Sequence, residues 1–211
     1  MKCQFCQKPL TDFLSQNICA SCGAPQAVSV SSTEDYFSVF GMPRRFGLDR
    51  AEVEKRFYQL SRALHPDRFT VASLDTKARS LARMSLINQA YGTLKSRDNT
   101  RAYLIKLESS LDLKSKPNAA IPMELTEAWF ELQELISEDP AGAKAKLDEF
   151  QTELSVFNEA LEKKMSSLEM TYDLNPSQSL LEKLAQEIQT QSYIKSMERD
   201  LERLKKNAYS N

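Results

Sequence analysis

Four cysteines and a single histidine are the residues of this 211-residue chain best equipped for chemistry. Cys3-Gln4-Phe5-Cys6 and Cys19-Ala20-Ser21-Cys22 form two C-x-x-C pairs separated by twelve residues. Two knuckles at that spacing bring four thiolates into a tetrahedron, the geometry zinc prefers. Gly23, directly after the second pair, permits a tight turn and leaves backbone N–H groups free to point at sulfur. So short a segment cannot bury a core, and metal binding, worth about 10–16 kcal/mol in zinc-finger peptides, would supply its folding energy. One structural zinc per chain on Cys3, Cys6, Cys19 and Cys22 is the leading expectation. An iron–sulfur or redox-active thiol site and a labile disulfide set stand as alternatives. Four ligands close the site, so zinc catalysis is not expected.

His65 opens the second constellation, His65-Pro66-Asp67. Upstream, Val53, Phe57, Leu60 and Leu64 recur at helical spacing. Asp49 with Glu52 three residues on reads as a capping box that starts this helix. Pro66 forbids helical continuation and biases His65 away from helical dihedrals. The imidazole and the carboxylate are therefore expected on a turn between two helices. No Ser or Cys nucleophile pattern accompanies the histidine, so the chain is not expected to be an enzyme.

The elements that must carry these groups are helical. Only five glycines and long charged–apolar periodic stretches predict an all-α protein. Residues 24–33 are small and polar and read as a linker, with a cysteine module at 1–27 and the linker proper at 28–33. A helical domain is expected over 34–108. It begins with a short helix carrying Tyr36, Phe37, Val39 and Phe40, followed by the capped helix 49–64. A helix from Val71 to Leu94 comes next, with Ala78, Leu81, Ala82, Ser85, Ile87, Asn88 and Tyr91 near one face, and a last one at Arg101–Leu107. A second linker, 109–121, contains Lys114, Lys116, Pro117 and Asn118. Over 122–207 three apolar stripes predict an antiparallel three-helix bundle: Leu125, Trp129, Leu132 and Ile136; Leu147, Phe150, Leu154, Phe157, Leu161, Met165 and Leu168; and Leu180, Leu184, Ile188, Ile194, Met197, Leu201 and Leu204. No tandem repeat is evident.

Charge is balanced, 28 Lys and Arg against 29 Asp and Glu, which argues against a general nucleic-acid binder. No apolar run approaches the roughly 20 residues needed to span a membrane, and no apolar signal core precedes Cys3. A cytoplasmic, reducing home without membrane attachment is expected.

Asp35-Tyr36-Phe37, Phe40-Gly41, Phe46-Gly47-Leu48-Asp49, Phe57, His65-Pro66-Asp67-Arg68-Phe69, Ile87-Asn88-Gln89-Ala90-Tyr91, Leu94 and Arg101-Ala102-Tyr103-Leu104 occur in an order that resembles J-domain co-chaperones of iron–sulfur cluster assembly of the HscB type. The resemblance spans residues 35–205, and the tetracysteine appendage looks like that of some members. It implies a J-domain helical hairpin, a C-terminal three-helix bundle and a small N-terminal zinc-knuckle module. It also implies two partners. A DnaK-type (HscA-like) chaperone would have its ATPase stimulated, and an iron–sulfur scaffold protein (IscU-like) would be delivered to it.

Two faces would meet them. For the chaperone, His65, Pro66 and Asp67 join Lys55, Arg56, Arg62 and Arg68; Lys55, Gln59 and Arg62 share a helix face opposite the apolar stripe, and a basic face steers acidic partners. For the scaffold, Glu127, Glu131, Glu134 and Glu138 fall within about 60° of one another, opposite the Leu125–Trp129 stripe. Met123 and Phe130 lie on that acidic side, an apolar anchor with a charged rim. The resemblance places Phe130, Glu131, Glu134 and Glu138 on the family's later scaffold-contacting positions. It puts Thr126 and Glu127 where a Leu-Met pair is usual, and matches Tyr193 to an aromatic of the same surface. A general J-protein presenting unfolded clients and a zinc-ribbon nucleic-acid binder are the competing functions. The chain is expected to be monomeric, with the cysteine module the place for any self-association.

Overall fold

Pro66 sets the architecture of the first half of the chain. In the computed structural model, which describes residues 1–28, 34–109, 111, 121–139 and 142–209, the helix before it stops at Leu64. Two compact units result, Met1–Leu104 and Ile105–Asn211. The predicted linker residues 29–33 and 112–120 lie outside the described residues. Among the described residues the regular elements are all helices, with two isolated bridges besides, as the composition predicted.

The first unit contains α1 (Phe13–Asn17), α2 (Tyr36–Val39), α3 (Arg50–Leu64), a 3-10 turn at Pro66–Phe69, α4 (Leu74–Leu94) and the start of α5 (Arg97–Glu108). Asp49 caps α3 by accepting from the N–H groups of Ala51 and Glu52 at 2.9 and 3.3 Å. The Glu52 carboxylate turns instead to Arg56, so only one half of the expected box forms. The third helix starts later than its periodicity suggested. Ser73 caps it through Thr76, and Val71 is left exposed before it. Helices α3 and α4 form a hairpin that buries Val53, Leu60 and Leu64 against Ile87, Ala90 and Leu94. Phe57 stacks on Tyr91 at 4.0 Å between ring centroids, and Tyr36 stacks on Tyr103 at 4.5 Å.

The buried face of α4 differs from the expected one. Ser80, Arg83, Ile87, Ala90 and Leu94 point inward, whereas Leu81 and Ala82 are exposed. Two polar residues occupy core positions because the core supplies their partners. Ser80 Oγ donates to the Leu64 carbonyl at 2.8 Å, tying α4 to the last turn of α3. Arg83, only 2% exposed, donates to the carbonyls of Gln26 and Ala27 and pairs with Glu34. A search for apolar stripes passes over such a residue, since an arginine is buried only when its charge and donors are matched.

Arg83 also shows that the cysteine module is docked on the helical hairpin. Asn17, buried at the end of α1, donates to the Val39 carbonyl at 2.9 Å. Arg56 lies over the Phe13 ring at 4.8 Å while donating to the carbonyls of Phe40 and Gly41 at 2.7 and 2.8 Å. Arg79 donates to Gln4 at 2.7 Å and covers the Phe5 ring. Gly41 sits in the left-handed region, φ +60°, and a Cβ there would clash with the Phe13 Cβ.

The second unit is built from α6 (Met123–Glu138), α7 (Ala143–Leu174) and α8 (Gln178–Tyr209). Pro176 ends α7, and Ser177 accepts from the N–H of Leu180 at 3.4 Å to start α8. Side-chain pairs fix an antiparallel register: Asp148 with Lys205, Asn158 with Glu198, Glu162 with Gln191 and Lys164 with Glu187. Leu125, Trp129 and Leu132 of α6 pack with Leu147, Phe150 and Leu154 of α7 and Ile194, Met197 and Leu201 of α8. Glu169 is buried on α7, where the stripe had suggested Leu168, and Leu181 is buried on α8 beside the half-exposed Leu180.

Gly41→Ala is expected to destabilise the first unit by more than about 2 kcal/mol, since left-handed strain adds to a backbone-adjacent clash. Gly23→Ala, with φ +70° and open space around its Cβ, should cost only about 1 kcal/mol. Amide-exchange protection in α3 and α4 measures the first and protection in the module the second.

Candidate functional site

The module's two knuckles are copies of one seven-residue turn, C-x-x-C-x-x-P. Cys3 N–H donates to the Lys8 carbonyl at 2.8 Å and Gln7 N–H to the Cys3 carbonyl at 3.1 Å. Sixteen residues on, Cys19 N–H donates to Ala24 at 3.0 Å and Gly23 N–H to the Cys19 carbonyl at 2.8 Å. Gln7 and Gly23 hold the same left-handed position, at φ 60° and 70°. This short repeat is present in the sequence although no tandem repeat was expected. Its signal is the proline three residues after each C-x-x-C.

The turns converge their sulfurs. Cys3 Sγ lies 3.7 Å from Cys22 Sγ, Cys6 Sγ lies 3.7 Å from Cys19 Sγ, and all four fall within 4.8 Å of one another. A tetrahedron with metal–sulfur bonds of about 2.3 Å has sulfur–sulfur edges of about 3.8 Å. The four cysteines are free thiols at distances far beyond the roughly 2.05 Å of a disulfide bond. The donor set thus fits a metal ion.

The backbone prepares the thiols for a cation. The Cys6 N–H directed at Cys3 sulfur, assisted by the Phe5 N–H, brings the Cys3 pKa down to about 6 against its burial. The Cys22 N–H likewise lowers Cys19. The Ala24 N–H acts the same way on Cys22, but burial and the neighbouring thiols outweigh it and push that thiol up to about 12. A cation at the centre would favour the thiolate at every position. Gln26 adds a side-chain donor, its Nε2 lying 3.5 Å from Cys3 Sγ and 2.9 Å from the Ala24 carbonyl. Gln26 fell within the stretch read as linker, yet it is buried, and its own carbonyl accepts from Arg83 at 3.2 Å.

The His65 turn stands at the end of α3. His65 adopts φ −57° and ψ 131°, the non-helical dihedrals that Pro66 imposes, and its Nδ1 accepts from the Asp67 N–H at 3.4 Å. The Asp67 carboxylate is 84% exposed and lies 3.4 Å from the same imidazole nitrogen. Arg62 and Arg68 are exposed on either side of the turn, and Lys55 is exposed on α3 beside Glu52. Arg56 shares the helix but has a different occupation. It binds Glu52, two loop carbonyls and the Phe13 ring, and its hydrogen bond holds the Glu52 carboxyl below the usual range. The arrangement presents an exposed turn of fixed backbone that carries an imidazole and a carboxylate.

On the second unit, α6 presents a separate face. Leu125, Trp129 and Leu132 take the buried side, which leaves Met123 and Phe130 72% and 62% exposed. Glu127, Glu131, Glu134 and Glu138 are all exposed. Tyr193 is exposed on α8, next to the buried Ile194 that shares a core cluster with α6.

No family model matches the chain. Among curated proteins it is 34% identical over 112 residues to the co-chaperone protein HscB homolog of Chromobacterium violaceum, covering 53% of this chain and 63% of that one. It is 38% identical over 74 residues to the co-chaperone protein HscB of Proteus mirabilis, covering 35% of this chain and 43% of that one. Identity to the HscB homolog of an Azoarcus species is 31% over 124 residues, 59% of this chain and 68% of the relative. The match thus spans less than two thirds of the first two relatives. The crystal structure of human co-chaperone protein HscB superposes with a TM-score of 0.69 at 25% identity, covering 97% of this chain and 98% of that one. Chaperone HscB from Vibrio cholerae shares the fold, with a TM-score of 0.57 at 23% identity over 83% of this chain and 99% of that one.

Purified under reducing conditions, the chain is expected to hold one metal ion per molecule. Cys19→Ser, which removes a buried ligand, should lose it, and elemental analysis of both proteins checks this.

Proposed function

The chain belongs to the HscB co-chaperone family, and from that premise we propose that it stimulates the ATPase of a DnaK-type chaperone and delivers an iron–sulfur scaffold protein to it. The observation that carries the proposal is the His65 turn, fixed by Pro66 and exposed beside Arg62 and Arg68. The chaperone binds and cleaves the ATP. Asp67 reaches a cation of the chaperone, His65 offers a ring nitrogen and a flat packing surface, and Lys55, Arg62 and Arg68 steer an acidic partner into register. Arg56 serves this face indirectly, by holding α3 to the loop at Phe40 and Gly41.

The scaffold is taken by the α6 face. Phe130 and Met123 are exposed apolar groups among carboxylates, the composition of a binding hot spot with a charged rim. Tyr193 completes it from α8. The four cysteines hold zinc, whose lack of geometric preference suits an all-thiolate tetrahedron; the ion is structural and supplies folding energy to a module too small for a core. The chain works as a soluble cytoplasmic monomer, outside any role for nucleic acid; among the described residues no helix is long and apolar enough to cross a membrane.

The test is ATP hydrolysis by a DnaK-type partner with and without the scaffold protein. His65→Gln is expected to reduce stimulation about ten-fold or more while leaving scaffold affinity intact. Phe130→Ala should weaken scaffold binding by about ten-fold or more and preserve scaffold-independent stimulation. Normal stimulation by His65→Gln would sink the mechanism, and holdase activity without scaffold affinity would favour a general client-presenting co-chaperone.

A further inference from the structure

The cysteine module does more than sit beside the helical hairpin. Its helix α1 runs along the exposed side of α3 and leaves a groove of ≈ 670 Å³ between them. Phe13 and Leu14 form one wall, and Lys55, Tyr58, Gln59 and Arg62 form the other. We infer that this groove is a docking site for an acidic, apolar-bearing segment of the chaperone, so that the metal module supplies half of the surface the chaperone grips. This rests on the chaperone-stimulating reading of the His65 turn and extends it to residues outside the hairpin.

Charge selects the occupant. The α3 wall brings two cations, Arg62 and Lys55, the latter also 3.4 Å from the Glu52 carboxylate outside the lining, and the one carboxylate of the lining is Asp12. That carboxylate is committed to capping α1, accepting from the Ser15 N–H at 2.7 Å. Between the cations, Tyr58 is 59% exposed and faces the half-buried Phe13 and Leu14 across the groove. A large apolar side chain flanked by carboxylates would satisfy both features. A small anion alone would leave the aromatic and aliphatic surface wet.

Position selects the owner of that segment. Arg62 lies in the last turn of α3, three residues before His65. At 1.5 Å per residue, Lys55 to Arg62 spans about 10 Å of α3, so a chaperone seated on the His65 turn reaches the groove without leaving the helix. The groove is formed in advance. The Asn17–Val39 bond, the Arg56–Phe13 contact and the Arg83 bonds to Gln26 and Ala27 fix α1 before any partner arrives, which lowers the ordering cost of binding. Loss of the metal would then weaken chaperone docking by releasing one wall.

The experiment titrates full-length, metal-loaded protein against a DnaK-type chaperone and reads the half-saturating concentration for ATPase stimulation. Leu14→Glu is expected to raise it about ten-fold. Leu14→Lys, equal in disruption but opposite in charge, should remain at least about five-fold tighter than Leu14→Glu. Tyr58→Ser, on the exposed wall and remote from the metal, should weaken docking by about five-fold or more with metal content and thermal midpoint unchanged. Half-saturation within two-fold of wild type for Leu14→Glu and Tyr58→Ser would overturn the proposal. Equal losses for the Glu and Lys variants would overturn the acidic occupant. If wild type stimulates and His65→Gln does not, such failures concern the groove alone; no stimulation by wild type removes both readings.

Discussion

The buried guanidinium of Arg83 is the interaction on which the first unit depends. A charge taken out of water is tolerated only where every donor finds an acceptor. Here α4 supplies the cation, residues 26 and 27 supply carbonyls, and Glu34 supplies the countercharge. Those carbonyls lie just past the second knuckle, which places them beside the gathered sulfurs. Gln26 closes the circuit, because its side chain donates to Cys3 Sγ while its backbone accepts from Arg83. The cysteine cluster and the core of the helical hairpin are thereby joined through one chain of hydrogen bonds. A module with its own metal could have been tethered by a linker; this one is bolted down by a matched charge.

The same logic explains what was legible in the sequence. Local rules read well: Pro66 stops α3, Asp49 caps it, and the Leu125–Trp129–Leu132 stripe is buried as its period requires. Those features need only nearest neighbours along the chain. Arg83 and Gln26 were not legible, because each is polar by type and buried through partners about fifty residues away or across the cysteine cluster. Ser80 was passed over too, so the inward face of α4 was read only in part: Ile87 was expected there, Ser80 and Arg83 were not. The four thiols were found by spacing alone. The left-handed turn at Gln7 was not, since a non-glycine residue at φ 60° announces itself only beside its twin at Gly23.

Helix α3 shows how one element carries several tasks. Its period of 3.6 residues separates Val53, Leu60 and Leu64, which face the core, from Lys55, Tyr58 and Arg62, which face solvent. Arg56 lies between these stripes and is turned inward to the loop carbonyls. Neighbouring basic residues therefore divide by geometry rather than by type. A basic count along the helix would overstate the recognising surface and understate the clamp.

A net charge of −1 conceals two oppositely charged working faces. Cations gather on α3 around the His65 turn, and carboxylates gather on α6 around Phe130. Screening limits each field to about 8–10 Å at physiological salt, so each acts only on groups that come close against it. A single charged face would attract both partners, or neither. On the proposed function, faces of opposite sign carried by different units serve a chaperone and a cargo separately. Specificity, on that proposed function, rests on exposed apolar groups set among charges: Tyr58 on the cationic side, Phe130 and Met123 on the anionic side. The charges choose which partner approaches, and the apolar groups decide whether it stays.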